Sequence, residues 1–279
     1  MPILAKYRHS HRVFNDDIQG TGSVTLAGII SAAKITGKRL SDLKVVCAGA
    51  GSAGLGVCEQ IVQGMIAEGL TDTEARRRFA VNTVEGALGS AKPPAGTKAV
   101  ETSHIDDRTR MWVNSSIVDG SSLLEVVKKF KPDVLLGLTA TPNVFTEEII
   151  RTMSSNCARP IIMPMSNPTS RCECTAEEAY RWSNGTAVVA TGSPFDKVTL
   201  EDGRTFLPSQ CNNMYIFPGL GLGASLAGAD VITDHMLYEA AVACANSINH
   251  EEISAGSTFP HVSRIRDVSH AVGTLRYLY

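Results

Sequence analysis

Apolar residues gather along the chain in two rhythms. Short continuous runs at 44–48, 79–83, 133–138, 160–165 and 187–191 predict strands buried on both faces. Between them, apolar positions recur at helical spacing over 19–36, 52–68, 121–130 and 146–153. In the second of these helices Ala53, Val57, Ile61 and Met65 share one face, and Gly69 is a stop signal. Thr175-Ala-Glu-Glu178 is a capping-box pattern that opens another helix. Helical patterns run from 221 to the end, broken at 256–260. Residues 85–114, rich in Gly, Pro, Lys and Thr, predict an irregular, mobile excursion. Strands alternating with helices predict an α/β fold: a Rossmann-like, doubly wound, mostly parallel sheet with flanking helices.

Length and composition narrow the function classes. A chain of 279 residues with 43% hydrophobic content can bury the core of one large domain, alone or with a small appendage. A formal net charge of -2 carries no nucleic-acid footprint. No stretch reaches the ~18 apolar residues of a spanning helix, and Lys34 ends the longest candidate at 26–33. The opening residues 1–6 are too short for a secretory signal. Seven cysteines, odd in number and scattered, read as reduced thiols in an intracellular protein. The close pair Cys172-Glu-Cys174 has no second pair at zinc-site spacing.

The first candidate chemistry is Gly49-Ala-Gly51-Ser-Ala-Gly54, between the first strong strand and a helix. Glycines there permit a tight turn and close approach of a pyrophosphate, which the helix N-terminus then receives. The second strand ends in Asn82-Thr83, with no carboxylate until Glu85. A missing carboxylate removes repulsion of a 2′-phosphate, so this strand end leans towards NADP. Arg76, Arg77 and Arg78 read as a solvated helix end. Asp16 and Asp17 precede a helix and are either its N-cap or oxygen ligands for a hard cation; on chemistry alone the cap is favoured. Asn167 and Asn213 lie in amide-rich loops, and Thr139 in another strand-end loop. Each suits a turn, and each could bind a carboxylate or a nicotinamide amide. The seven histidines form no recognisable triad, and His104-Ile-Asp106-Asp107 reads as a solvated loop.

Taken together, FNDDIQGT (14–21), GAGSAGLG (49–56), MSNPTS (165–170), ATGSPFD (190–196) and CNNMYIFPG (211–219) resemble, in content and order, the malic enzymes. The resemblance runs from about 6 to 267 and includes the late segment 263–269. It implies oxidative decarboxylation of malate to pyruvate with reduction of NADP or NAD, assisted by Mg²⁺ or Mn²⁺. By the same resemblance Asp17 is a metal ligand and Asp16 orients a catalytic lysine. Asn167 and Asn213 contact substrate or nicotinamide. The resemblance makes the Gly49, Gly51 and Gly54 turn the pyrophosphate site, and with the strand-end residues the expected cofactor site is Gly49, Gly51, Ser52, Ala53, Gly54, Asn82, Thr83, Thr139 and Asn167.

The implied organisation is a remnant of the substrate and metal domain at 1–20, a nucleotide-binding domain at 21–255 and a tail at 256–279. The family's tyrosine acid, lysine base and Glu-Asp metal pair are expected upstream, and residues 1–13 do not supply that pair. The chain alone is therefore expected to be inactive. The full-length form is expected to be a homo-oligomer in the cytoplasm or mitochondrial matrix, with no nucleic-acid or membrane partner. The alternative is a non-catalytic NAD(P)-binding module or dead subunit of an oligomer.

Overall fold

The computed structural model describes residues 2–91 and 105–274. Its centre is a sheet of seven strands: β1 (Val45–Ala48), β2 (Phe79–Thr83), β3 (Gly86–Ala87), β4 (Val134–Gly137), β5 (Ile161–Pro164), β6 (Val188–Thr191) and β7 (Ser209–Gln210). Their order is β7-β6-β5-β4-β1-β2-β3. All neighbours are parallel except β2 and β3. Val45 lies opposite Phe79 on one side and Val134 on the other.

Strand residues alternate between two cores, as the period of two demands. Val45, Cys47, Val81 and Leu136 join one core with residues of α1 (Thr21–Thr36), α2 (Ser52–Ala67) and the helix Asp234–Asn246. Val46, Ala80 and Leu135 join the other, with residues of the helices Leu123–Phe130, Glu147–Asn156 and Ala176–Trp182. With both faces covered, the doubly wound fold expected from the alternating pattern is the observed one. The Thr175–Glu178 capping box is also present, with both reciprocal hydrogen bonds.

Two expectations are corrected. The described parts of 85–114 are ordered: Gly89–Ala91 pairs in parallel with the strand Asn114–Val118, and Asp106 caps the short helix Asp107–Arg110. Periodicity could not show this strand, because Asn114 is buried as a polar residue whose Nδ2 donates to the Phe79 carbonyl, 2.6 Å away. Residues 92–104 of that segment, His104 included, lie outside the described residues. The described part of the expected tail is no appendage. Phe259, Val268 and Val272 belong to the main core, and the helix Ile265–Gly273 packs on Gly219. Each such buried side chain is worth about 1.5–3 kcal/mol, enough to tie this segment to the sheet domain. All seven cysteines are free and buried. Among the described residues no helix is long and apolar enough to cross a membrane.

Candidate functional site

The chain runs from β1 outwards to β2, then returns across the sheet to β4 on the other side of β1. Such a reversal opens a crevice at the carboxyl ends of the two strands, where open α/β sheets bind ligands. Into it projects the turn Gly49–Gly51, followed by α2. Gly49 has φ +116°, a conformation that L side chains rarely adopt, and a Cβ there would strike the Leu138 carbonyl. Gly51 is different: a Cβ on it would meet nothing within 4 Å. Its φ of -72° suits any residue, so the space above it is the feature that glycine preserves. The first turn of α2, with Ser52 and Ala53, presents N–H groups without helical partners beside that space.

Two hollows flank the turn. The larger, about 920 Å³, extends from Gly49 and Gly51 past Asn82 and Thr83 to Thr139. The smaller, about 490 Å³, holds Asp16, Asp17, Ser166, Asn167 and Asn213, with Ala53 at its edge. Leu138 lines both, so the loop after β4 separates them.

The acidic pair owes its position to the residue before it. Asn15, not an aspartate, caps the turn Asp16–Gly20, its side chain accepting from the Ile18 N–H at 3.0 Å. Both carboxylates are thereby spared the capping role expected for them. Asn213 Nδ2 donates to the Asp16 backbone carbonyl at 3.1 Å and to its Oδ2 at 3.0 Å. Asp16 Oδ1 is buried with no hydrogen-bond partner, packed where a Cβ on Gly20 would collide. Asp17 is exposed to the hollow. Among the described residues no group of three or more His, Cys, Asp or Glu gathers to hold a metal ion.

The amide and hydroxyl loops are held from beneath. Asn167 Oδ1 accepts from the Ser193 hydroxyl at 2.6 Å, which leaves its Nδ2 as a donor. Glu173, fully buried, takes hydrogen bonds from Thr139 and Ser166. Sequence reasoning singled out neither Glu173 nor Ser166.

With this geometry in place, comparison with known proteins is decisive. The family described as "Malic enzyme, NAD binding domain" matches residues 18–276. The chain belongs to the malic enzyme family. It is 44% identical to an NAD-dependent malic enzyme of Acinetobacter baylyi over 269 residues, covering 96% of this chain and 47% of that protein. Against an NAD-dependent malic enzyme of Aeromonas hydrophila the identity is 44% over 278 residues, with 99% and 48% covered. Among solved structures, the malic enzyme of Entamoeba histolytica superposes with a TM-score of 0.73 at 28% identity, covering 97% of this chain and 50% of that one. The malic enzyme of Pyrococcus horikoshii gives 0.70 at 27% identity, covering 98% and 57%. The chain thus spans about half the length of the curated relatives it matches.

For a chain of the malic enzyme family, the distribution of the expected site residues is informative. Gly49, Gly51, Asn82, Thr83 and Thr139 line the larger hollow. Asp16, Asp17, Asn167 and Asn213 line the smaller one. Gly54 lies deeper, against the Gly49 carbonyl. Arg76 to Arg78 sit before β2, at the end away from Asn82 and Thr83. Arg76 is paired with Glu59 and Asp72 and lies over the Trp112 ring at 4.8 Å.

Proposed function

We propose that this chain binds NAD across the crevice between β1 and β4 and supplies the dinucleotide half of an oxidative decarboxylation of malate to pyruvate. The observation that carries the reading is the open cradle over Gly51, set between Gly49, whose positive φ only glycine adopts readily, and the first turn of α2. A pyrophosphate there would accept from the free N–H groups and face the positive end of the helix dipole. Its adenosine would then lie towards Asn82 and Thr83, and its nicotinamide towards Thr139 and Asn167. NAD, when bound, supplies the hydride acceptor.

Electrostatics favours NAD over NADP. The larger hollow is lined by Glu85 and Glu125 and, among the described residues, by no lysine or arginine. Hydrogen bonds from the Ser122 N–H and hydroxyl hold the Glu125 carboxyl below its ordinary range, so it is charged at neutral pH. A 2′-phosphate would enter a field of its own sign. These carboxylates outweigh the neutrality of Asn82.

In the smaller hollow we assign Asn167 and Asn213 to the polar groups of substrate or nicotinamide. Asp16, which lines this hollow and is fixed by Asn213 through one oxygen, is assigned to orient an incoming ammonium group. Asp17 offers one oxygen to a divalent cation. A single exposed carboxylate does not fit the six-ligand demand of Mg²⁺, so the described residues alone do not hold the expected metal. Residues 1–20 are assigned to the edge of the substrate side and the sheet domain to the dinucleotide side.

Calorimetric titration of the 279-residue chain with NAD tests the reading. Saturable binding that is lost in Gly51→Val supports it. Absence of binding, or equal binding by the variant, removes the assignment.

A further inference from the structure

Glu173 is buried to 0% exposure and has no lysine, arginine or histidine in ion-pairing range among the described residues. Burying a carboxylate without a cation is costly unless hydrogen bonds compensate. Among the described residues they come from two loops. Glu173 Oε1 accepts from the Thr139 N–H at 2.8 Å, the Thr139 hydroxyl at 2.8 Å and the Ser166 hydroxyl at 2.5 Å. Oε2 accepts from the Ser166 N–H at 3.3 Å. The fit is close: a Cβ on Gly137, the last residue of β4, would lie 2.5 Å from the Glu173 carboxyl carbon.

The network reaches a strained residue. Having donated to Glu173, the Ser166 hydroxyl accepts from the Ala140 N–H at 2.9 Å. Ala140 has φ +52°, in the left-handed region that alanine disfavours. Residues held this way persist only where their surroundings over-determine them. Ala140 and Ser166 face the smaller hollow, Thr139 the larger, and Asn167 follows Ser166 directly. The divider between the two hollows is therefore set in place by one carboxylate beneath it.

We propose that Glu173 is a positioning residue that holds Thr139-Ala140 and Ser166-Asn167 in the shape that receives the nicotinamide end of the dinucleotide. The inference rests on the dinucleotide reading above. It makes Glu173 act through Thr139, Ala140 and Asn167, with no contact of its own to the ligand. The pyrophosphate turn and Asn82 take no part in its network, so the adenosine end is independent of it.

The test separates the two ends of the ligand. NAD and ADP-ribose share adenosine and pyrophosphate, and only NAD carries the nicotinamide. Affinities of both are measured by calorimetry on the full chain, Glu173→Gln and Ser166→Ala, well below each protein's melting temperature. Glu173→Gln keeps the shape, removes the charge and sets an amide N–H₂ against a donor. Ser166→Ala removes only the middle link and keeps the test available if the first variant does not fold. The expected result is a loss of about tenfold for NAD in Glu173→Gln, a smaller loss in Ser166→Ala, and ADP-ribose affinity unchanged within about twofold in both. Parallel losses for the two ligands, or none for either, would overturn the inference and leave the dinucleotide reading standing. Wild-type NAD binding no tighter than ADP-ribose would overturn it in the same way. Failure of the wild-type chain to bind either ligand would instead bring down the dinucleotide reading, and the inference with it.

Discussion

Gly54 packs its α-carbon against the Gly49 carbonyl so closely that a Cβ on Gly54 would overlap that oxygen. Five residues apart in sequence, the two close the turn between β1 and α2 on itself. Between them, Gly51 faces open space. One motif therefore contains glycines with different duties: Gly49 and Gly54 make the turn possible, and Gly51 leaves room above it.

Stability and binding should accordingly separate across the motif. Gly54→Ala forces backbone apart and should destabilise the chain by at least about 1–3 kcal/mol, read as a lower melting temperature. Gly51→Ala meets no neighbour, so its stability should stay within about 0.5 kcal/mol of the parent while NAD affinity falls. Equal melting temperatures for Gly54→Ala and the parent would contradict the packing described.

The carboxylates of the larger hollow set the second expectation. NAD should bind several-fold more tightly than NADP, and the difference should shrink as salt is raised. Glu85→Lys should narrow the gap by drawing in the 2′-phosphate. Asn82→Asp should widen it, since a carboxylate there accepts from the ribose 2′-hydroxyl and repels a phosphate. Competitive titration reads all three proteins. Tighter NADP binding by the parent would show that the charge of the hollow does not govern the choice.

Much of this architecture was legible because buried parallel strands read as unbroken apolar runs. Val45–Ala48, Val134–Gly137 and Ile161–Pro164 all stand out in that way. The phosphate turn was legible because its glycines fall between such a strand and a helix. The acidic pair was legible as an alternative only. Aspartate and asparagine are equally good caps, and only the placed Asn15 side chain frees Asp16 and Asp17. Asn114–Val118 stayed hidden because its inner face holds an asparagine satisfied by a backbone carbonyl. Glu173 stayed hidden for a related reason. A charged residue between two cysteines carries no mark of complete burial, which arises when two distant strand ends converge on it.

Thiol burial gives a pH dependence with a definite sign. Burial pushes the pKa of Cys58, Cys157, Cys172, Cys174, Cys211 and Cys244 upwards, that of Cys172 to about 11 and that of Cys244 to about 12. Unfolded thiols ionise near about 8.5. Above that pH the unfolded chain releases protons that the folded chain keeps, so stability falls as pH rises. Each thiol contributes roughly 1.4 kcal/mol per pH unit until its folded pKa is reached. Melting temperatures should fall from pH 9 to pH 10.5, and the slope should be shallower in Cys172→Ala and Cys244→Ala. Slopes unchanged by either substitution would rule out the thiols as the cause.

The contact between Asn213 and Asp16 supports a final prediction with the same kind of internal control. Asn213 Nδ2 stands 3.0 Å from Asp16 Oδ2 and is the partner that the structure gives that oxygen. Asn213→Asp would set two half-buried carboxylates within hydrogen-bond distance. Like charges so placed cannot both ionise freely, so the pair gains an apparent pKa above the ordinary value of about 3.9. A raised folded pKa means that the stability of the proton-sharing pair is present at low pH and lost as pH rises through that value. The melting temperature of Asn213→Asp should therefore lie furthest below the parent's near pH 8 and recover towards it near pH 5. Asn213→Ala also loses the hydrogen bond, at a cost of about 1 kcal/mol, but places no second charge beside Asp16. Its deficit should be nearly the same at both pH values. ADP-ribose affinity should stay unchanged in both variants, because the contact lies outside the larger hollow. A deficit for Asn213→Asp that does not change between pH 5 and pH 8 would show that position 213 does not hold the Asp16 carboxylate in solution.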